Sequence, residues 1–205
     1  MELRPFQKEC IKKIELQNGG NHLVQMATGL GKTVTFANIP RKGRVLILSH
    51  REELVNQPRK YYDCSFGVEK GAQHSNGEEV VSACVPSLVK RLDRFLPDDF
   101  DMIITDEAHH AVAASYRKIY DYFKPRIHLG FTATPNRGDK LRLDTVYDDI
   151  IFSRDLLWGI RNGYLSDAEC LRVDVGYNLA NVGTHMGDFK VGELDDAVNI
   201  VQANE

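Results

Sequence analysis

The chain has 205 residues, 42% of them hydrophobic and 27% charged, with 26 basic against 29 acidic side chains and a net charge of −3. Such a composition suits a soluble globular protein with one substantial core, and weighs against a strongly basic, stand-alone nucleic-acid binder. Cys10, Cys64, Cys84 and Cys170 are widely spaced with no CxxC pair, which argues against a disulfide framework or a zinc site. The charged N-terminus lacks an apolar signal segment and no run reaches membrane-span length, so a cytoplasmic protein without membrane contact is expected.

In chain order, residues Pro5 to Gln17 read as a helix, with Pro5 in its first turn and Gly19-Gly20 as its stop. A short apolar strand, His22 to Met26, runs into the turn-rich stretch Ala27 to Thr33 and then a short helix. The continuous apolar run from Arg44 to Ser49 predicts a strand buried on both faces. A charged helix is predicted from Arg51 to Tyr61, a strand over Glu79 to Val85 and a helix over Pro86 to Phe95. Further strands are predicted over Asp101 to Thr105 and Ile127 to Phe131, with a helix from Ser115 to Phe123 between them. A last helix is expected from Asp155 to Asn162, closed by Gly163. The alternation predicts an α/β fold with a mostly parallel sheet flanked by helices. Beyond about residue 167 strand signals are scarce, and 167–205 reads as an extension or linker.

Met26-Ala-Thr-Gly-Leu-Gly-Lys-Thr33 departs from the phosphate-loop pattern G-x-x-x-x-G-K-[ST] only at Met26. Thr28, Gly29 and Gly31 belong to a loop that turns tightly enough to aim backbone N–H groups into one concavity, and the following helix adds its positive end. Lys32 supplies a point charge to phosphates and the Thr33 hydroxyl is placed for Mg²⁺. The bland alternative is a glycine turn before a surface lysine. Asp106-Glu-Ala-His109 follows an apolar strand. There Asp106 can hold a Mg²⁺ shell and Glu107 can orient or deprotonate a water; the alternative is an acidic surface turn.

These residues resemble the motifs of DEAH-type superfamily 2 helicases and translocases: Asp106-Glu-Ala-His109 their motif II, Thr132-Ala-Thr134 their motif III, in the family's order after Lys32. The resemblance implies a RecA-like P-loop NTPase domain over 1–166, using ATP and Mg²⁺. It assigns Lys32, Asp106, Glu107 and His109 to catalysis, and Thr132 and Thr134 to coupling through His109. Leu3-Arg-Pro-Phe-Gln7 resembles the upstream adenine-reading motif, with Gln7 on the adenine edge and Arg4 against the base. Leu48 to Leu54 resembles motif Ia, with Arg51 near a nucleic-acid backbone, and Val85-Pro-Ser-Leu88 the next backbone-contacting motif, through Ser87. Asp106 to Tyr116 and Leu129 to Arg137 resemble the branch of restriction-enzyme motor subunits and DNA-repair helicases, which points to duplex DNA. Gly163-Tyr-Leu165 resembles the segment leading out of the first motor domain in that branch.

A motor of this family has a second RecA-like domain, which nothing after residue 166 resembles. The chain is therefore expected to be one half of a motor, binding Mg-ATP weakly and hydrolysing it poorly alone. Two alternatives stand beside it: a P-loop ATPase of another kind, and a truncated nucleotide- or nucleic-acid-binding module without turnover.

Overall fold

Runs such as Val45-Leu-Ile-Leu48 carry no polar face, so both sides of their strands must be covered. A computed structural model describes residues 2–135 and 143–167, with the backbone alone of 184–185 and 188–189. Its strands are β1 (Gly20–Met26), β2 (Val45–Ser49), β3 (Phe66–Glu69), β4 (Val80–Cys84), β5 (Met102–Asp106), β6 (Ile127–Thr132) and β7 (Asp149–Arg154). They form one sheet in the order β3-β4-β2-β5-β6-β1-β7, and every pairing is parallel. Alternate residues of β2 go to opposite cores. Val45 and Ile47 join Val24, Ile104, Leu129 and Phe131 on one face. Leu46 and Leu48 join Val81, Ile103, Tyr116 and Phe123 on the other.

Helix α1 (Pro5–Glu15) buries Phe6, Gln7, Cys10, Ile11 and Ile14, one stripe of a 3.6-residue period, against the first of these cores. Helix α2 (Lys32–Ala37) packs beside it, and α4 (Ala114–Tyr122) covers the second core with Tyr116 and Ile119. Helix α5 (Leu156–Arg161) starts at Asp155, whose carboxylate accepts from Trp158 N at 2.7 Å. Among the described residues no helix is long and apolar enough to cross a membrane.

Two predicted helices differ from the structure. Arg51 to Tyr61 is not one helix but two 3₁₀ turns, Glu52–Leu54 and Gln57–Tyr61. Pro58 is the reason: it has no N–H to give and its ring clashes with the carbonyl four residues back. Pro86 to Phe95 contracts to α3 (Val85–Leu88) and a 3₁₀ turn at Leu92–Arg94. Between them Arg91 leaves helical geometry (φ −141°, ψ 22°) and its guanidinium bonds Glu69 at 2.7 Å. Strands β3 and β7, at the two edges, have no counterpart in the sequence reading.

The chain divides into two compact units, Met1–Ser166 and Asp167–Glu205. Most of the second, and with it the extension expected over 167–205, lies outside the described residues. Within it β8 (Thr184–His185) and β9 (Asp188–Phe189) pair antiparallel.

Candidate functional site

In a parallel sheet all strands end at one edge, and the loops leaving that edge converge. Register aligns Gln25 of β1 with Thr132 of β6, and Phe131 of β6 with Asp106 of β5. Strand β6 therefore places Thr132 between the loop after β1 and the carboxylates after β5.

The loop after β1 turns at Gly29 (φ 86°) and Gly31 (φ 88°), left-handed conformations that L side chains rarely adopt. Leu30 is fully buried and anchors the loop, while Thr28 and Gly29 are exposed. A Cβ at Gly31 would lie 2.6 Å from Gln7 Nε2, and one at Gly29 would lie 2.8 Å from Leu165 Cδ2. Both glycines thus meet close neighbours as well as a backbone demand. Lys32 and the half-buried Thr33 open α2 directly after the second turn.

Glu107 has φ 50°, the only described non-glycine residue with positive φ. Local strain of this kind persists where surrounding structure fixes it. The turn sends Glu107 back toward the loop, so Oε1 lies 3.2 Å from Lys32 Nζ and Oε2 lies 3.3 Å from His109 Nδ1. His109 Nδ1 is also 3.4 Å from Thr132 Oγ1, which accepts from Thr134 N at 3.2 Å and donates to Thr134 O at 3.3 Å. Lys32, Glu107, His109, Thr132 and Thr134 thus form one connected set.

The two adjacent acids have opposite surroundings. Burial, with the charge of Glu107 added, pushes the Asp106 carboxyl up from 3.8 to about 6, against the pull of Lys32. The His109 hydrogen bond, then Lys32, hold Glu107 down at about 2, against its own partial burial. Asp106 Oδ1 accepts from Glu107 N at 3.0 Å. Glu107 has an ion pair with Lys32 and a hydrogen bond with His109, whereas at the half-buried Asp106 desolvation and the Glu107 charge outweigh the pull of Lys32. Behind them Thr105 Oγ1 lies 2.9 Å from Tyr120 Oη and 3.0 Å from His128 Nε2, and burial lowers His128 to about 3, so its ring is neutral.

On the other side of the loop Gln7 is buried. Its Oε1 accepts from Arg4 N at 2.9 Å and its Nε2 donates to Leu30 O at 3.0 Å, tying α1 to the loop. Arg4 is exposed, its guanidinium 5.4 Å from the centre of the Tyr164 ring. Arg51 and Ser87 stand apart from this set, after β2 and β4 at the same sheet edge; Arg51 is exposed, and Ser87 Oγ accepts from Gly71 N at 3.1 Å. Sequence reasoning missed the rings of His50 and His110, stacked at 4.7 Å, which bring the residue before Arg51 onto the residue after His109. A broad concavity of about 550 Å³, lined by residues 37–44 and Glu79, lies where β2 and β4 begin, on the opposite sheet edge from these groups.

The family model described as "Type III restriction enzyme, res subunit" matches residues 1–137. The chain is 33% identical over 231 aligned positions to "Putative ATP-dependent helicase IRC3" of Saccharomyces cerevisiae, covering 99% of this chain and 34% of that protein. It is 31% identical to the type I restriction enzyme EcoAI endonuclease subunit of Escherichia coli, covering 86% of this chain and 25% of that one. The UvsW helicase from bacteriophage T4 shares the fold, with a TM-score of 0.62 at 16% identity over 74% of this chain and 60% of that one. The chain thus spans about a quarter to a third of the length of the curated relatives it matches.

Proposed function

The chain belongs to the family of the type III restriction enzyme res subunit, as the N-terminal RecA-like half of a superfamily 2 helicase-type motor; from that premise we propose that it binds Mg-ATP at the loop after β1 and hydrolyses it in the service of movement on duplex DNA. The observation that carries this reading is the pair of adjacent carboxylates driven to opposite proton affinities beside the loop lysine.

Lys32 exchanges its Glu107 partner for the β- and γ-phosphates, and the N–H groups of the loop from Thr28 to Thr33 cradle them. Asp106 and the Thr33 hydroxyl are hard oxygen donors of the kind Mg²⁺ takes, and a half-buried carboxylate whose desolvation outweighs the pull of Lys32 fits a divalent ion. When bound, Mg²⁺ neutralises charge on the phosphate oxygens. Glu107, held near 2, is ionised at neutral pH and is a weak base there. As a carboxylate it accepts a hydrogen bond from the attacking water and orients it. His109 carries the state of that carboxylate to Thr132 and Thr134. Gln7 keeps one amide hydrogen and one lone pair beyond its two observed bonds, enough to read an adenine edge. Arg51 and Ser87 contact the nucleic-acid backbone.

We take residues 1–166 as the motor half and 167–205 as leading toward a second RecA-like domain. An arginine supplied from such a domain is worth roughly 10³–10⁵ in rate, so hydrolysis by this chain alone is slow and its nucleic-acid binding weak and salt-sensitive. The free thiols Cys10, Cys64 and Cys84 suit a reducing compartment, and the cytoplasm is the proposed setting. The test is a titration with a fluorescent ATP analogue in Mg²⁺, beside Lys32→Ala. Saturable binding by the wild type that falls at least about tenfold in the variant is expected, since a lysine–phosphate contact is charge-assisted. Equal binding by both proteins sinks the assignment.

A further inference from the structure

Four side chains from the two ends of the described motor half form a continuous column beside the phosphate loop. Arg154 lies over the Trp158 ring at 4.8 Å, and Trp158 stacks on Tyr164 with centroids 5.4 Å apart and planes at 17°. Tyr164 in turn lies 5.4 Å beneath the guanidinium of Arg4. Phe6 of α1 closes the side, edge-on to Trp158 at 5.3 Å and to Tyr164 at 4.7 Å. The column is held from below. Gly163 turns in left-handed geometry (φ 69°), and Tyr164 N and Leu165 N both donate to Gly159 O, at 2.9 and 3.1 Å. Leu165 then reaches the loop, against the place a Cβ on Gly29 would occupy.

A guanidinium is a plane with two faces. The guanidinium carbon of Arg4 lies 5.4 Å over the Tyr164 ring, and Arg4 itself is exposed. A guanidinium held over an aromatic ring and open to solvent is a stacking platform for another flat group. A base on it loses less side-chain freedom on binding than it would on an unrestrained arginine. The same three-residue segment touches both candidate ends of a nucleotide, the base side through Tyr164 and the phosphate loop through Leu165.

We propose that Tyr164 is a positioning residue for the nucleotide base: it backs Arg4, so that a purine nucleoside triphosphate stacks on the outer face of the guanidinium while Leu165 seats the loop that takes the phosphates. This rests on the nucleotide reading above. Tyr164 touches Arg4 and not the base, so its effect passes through Arg4 and depends on the base being present.

The test compares two competitors of the fluorescent analogue in Mg²⁺, ATP and inorganic triphosphate, using the whole chain. The proteins are wild type, Tyr164→Leu, Tyr164→Phe, Arg4→Gln and the Arg4→Gln/Tyr164→Leu double variant. Tyr164→Leu is expected to weaken ATP about 3- to 10-fold while inorganic triphosphate stays within about twofold, the size of a partly exposed cation–π contact. Tyr164→Phe keeps the ring and matches the wild type. The double variant binds ATP no more weakly than Arg4→Gln alone. Trp158 is the single tryptophan of the chain, so its emission reports the column directly and responds to ATP but not to inorganic triphosphate. Equal losses of ATP and triphosphate, no loss of ATP, or losses that multiply in the double variant overturn the proposal. If Lys32→Ala leaves triphosphate binding intact, the nucleotide reading itself falls, and this inference with it.

Discussion

Two carboxylate clusters sit at the ends of strands in one sheet and have opposite characters. Glu69, at the end of edge strand β3, is fully buried and fully supplied. Its oxygens accept from Arg91 Nη1 at 2.7 Å, Ser75 N at 3.0 Å, His74 Nδ1 at 3.1 Å and Arg94 Nη1 at 3.4 Å. Burial alone would raise its proton affinity, yet the Ser75 N–H, Arg91 and His74 hold it below the ordinary value. Asp106, at the end of β5, is raised to about 6 because desolvation, with the charge of Glu107 beside it, outweighs Lys32 and the Glu107 N–H. A saturated cluster stabilises a turn; an unsaturated one stores a demand that a ligand can meet. Strand ends in one sheet thus hold carboxylates of opposite character, Glu69 lowered by its partners and Asp106 raised.

Loss of the Glu69 carboxylate unpairs Arg91 and Arg94 together. Glu69→Ala leaves two arginines facing a buried gap, and is expected to cost about 3 kcal/mol of unfolding free energy, the low end for a broken buried pair because both arginines keep some water. Urea unfolding at pH 7 measures it; a loss under about 1 kcal/mol would make the cluster a surface feature.

On the unsaturated side the sign reverses. The folded proton affinity of Asp106, about 6, lies above its ordinary value of 3.8, so the wild type loses stability as pH rises through that interval. Glu107 acts in the opposite sense, and its window lies lower, between 4.5 and about 2. Asp106→Asn removes the penalty and is expected to stabilise the fold by about 1–2 kcal/mol at pH 7.5, discounted for solvent at the site. At pH 4 the gain disappears. Urea unfolding of both proteins at the two pH values checks it, and a gain that does not depend on pH contradicts the unsaturated-carboxylate account.

The turn after β1 was more legible in the sequence than the elements around it, for physical reasons. Gly29, Gly31 and Lys32 are a local demand on backbone and charge, written in consecutive residues. β2, β4, β5 and β6 were legible because two-sided burial forces a mostly apolar run. β3 and β7 each have one neighbour in the sheet and mixed sequences, Phe-Gly-Val-Glu and Asp-Ile-Ile-Phe-Ser-Arg, so neither leaves a periodic signal. The helix expected at Arg51 to Tyr61 ignored Pro58, and the one expected at Pro86 to Phe95 could not foresee that Arg91 is drawn to a carboxylate on another strand. Gly163-Tyr-Leu165 was visible as a motif, but its partner Arg4 lies at the opposite end of the sequence. Nothing local to either segment reveals their contact.

Within the Glu69 cluster two guanidiniums serve one carboxylate, and they are not equivalent. Arg91 makes the shorter bond, at 2.7 Å, and also holds the 70–75 turn through Gly71 O and Gln73 O. Arg94 is more exposed (39% against 24% for the side chain), approaches Glu69 only at 3.4–3.5 Å, and shares His74 Nδ1 with it. Without Arg94, Arg91 Nη1 still donates to Glu69 Oε1 at 2.7 Å and Ser75 N to Oε2 at 3.0 Å, so the carboxylate stays compensated. Arg94→Ala is therefore expected to cost under about 1 kcal/mol and Arg91→Ala about 2 kcal/mol. Paired urea titrations decide the order. Equal costs would mean that the two guanidiniums act as a unit, and that saturation at Glu69 is a property of the whole turn rather than of one short bond.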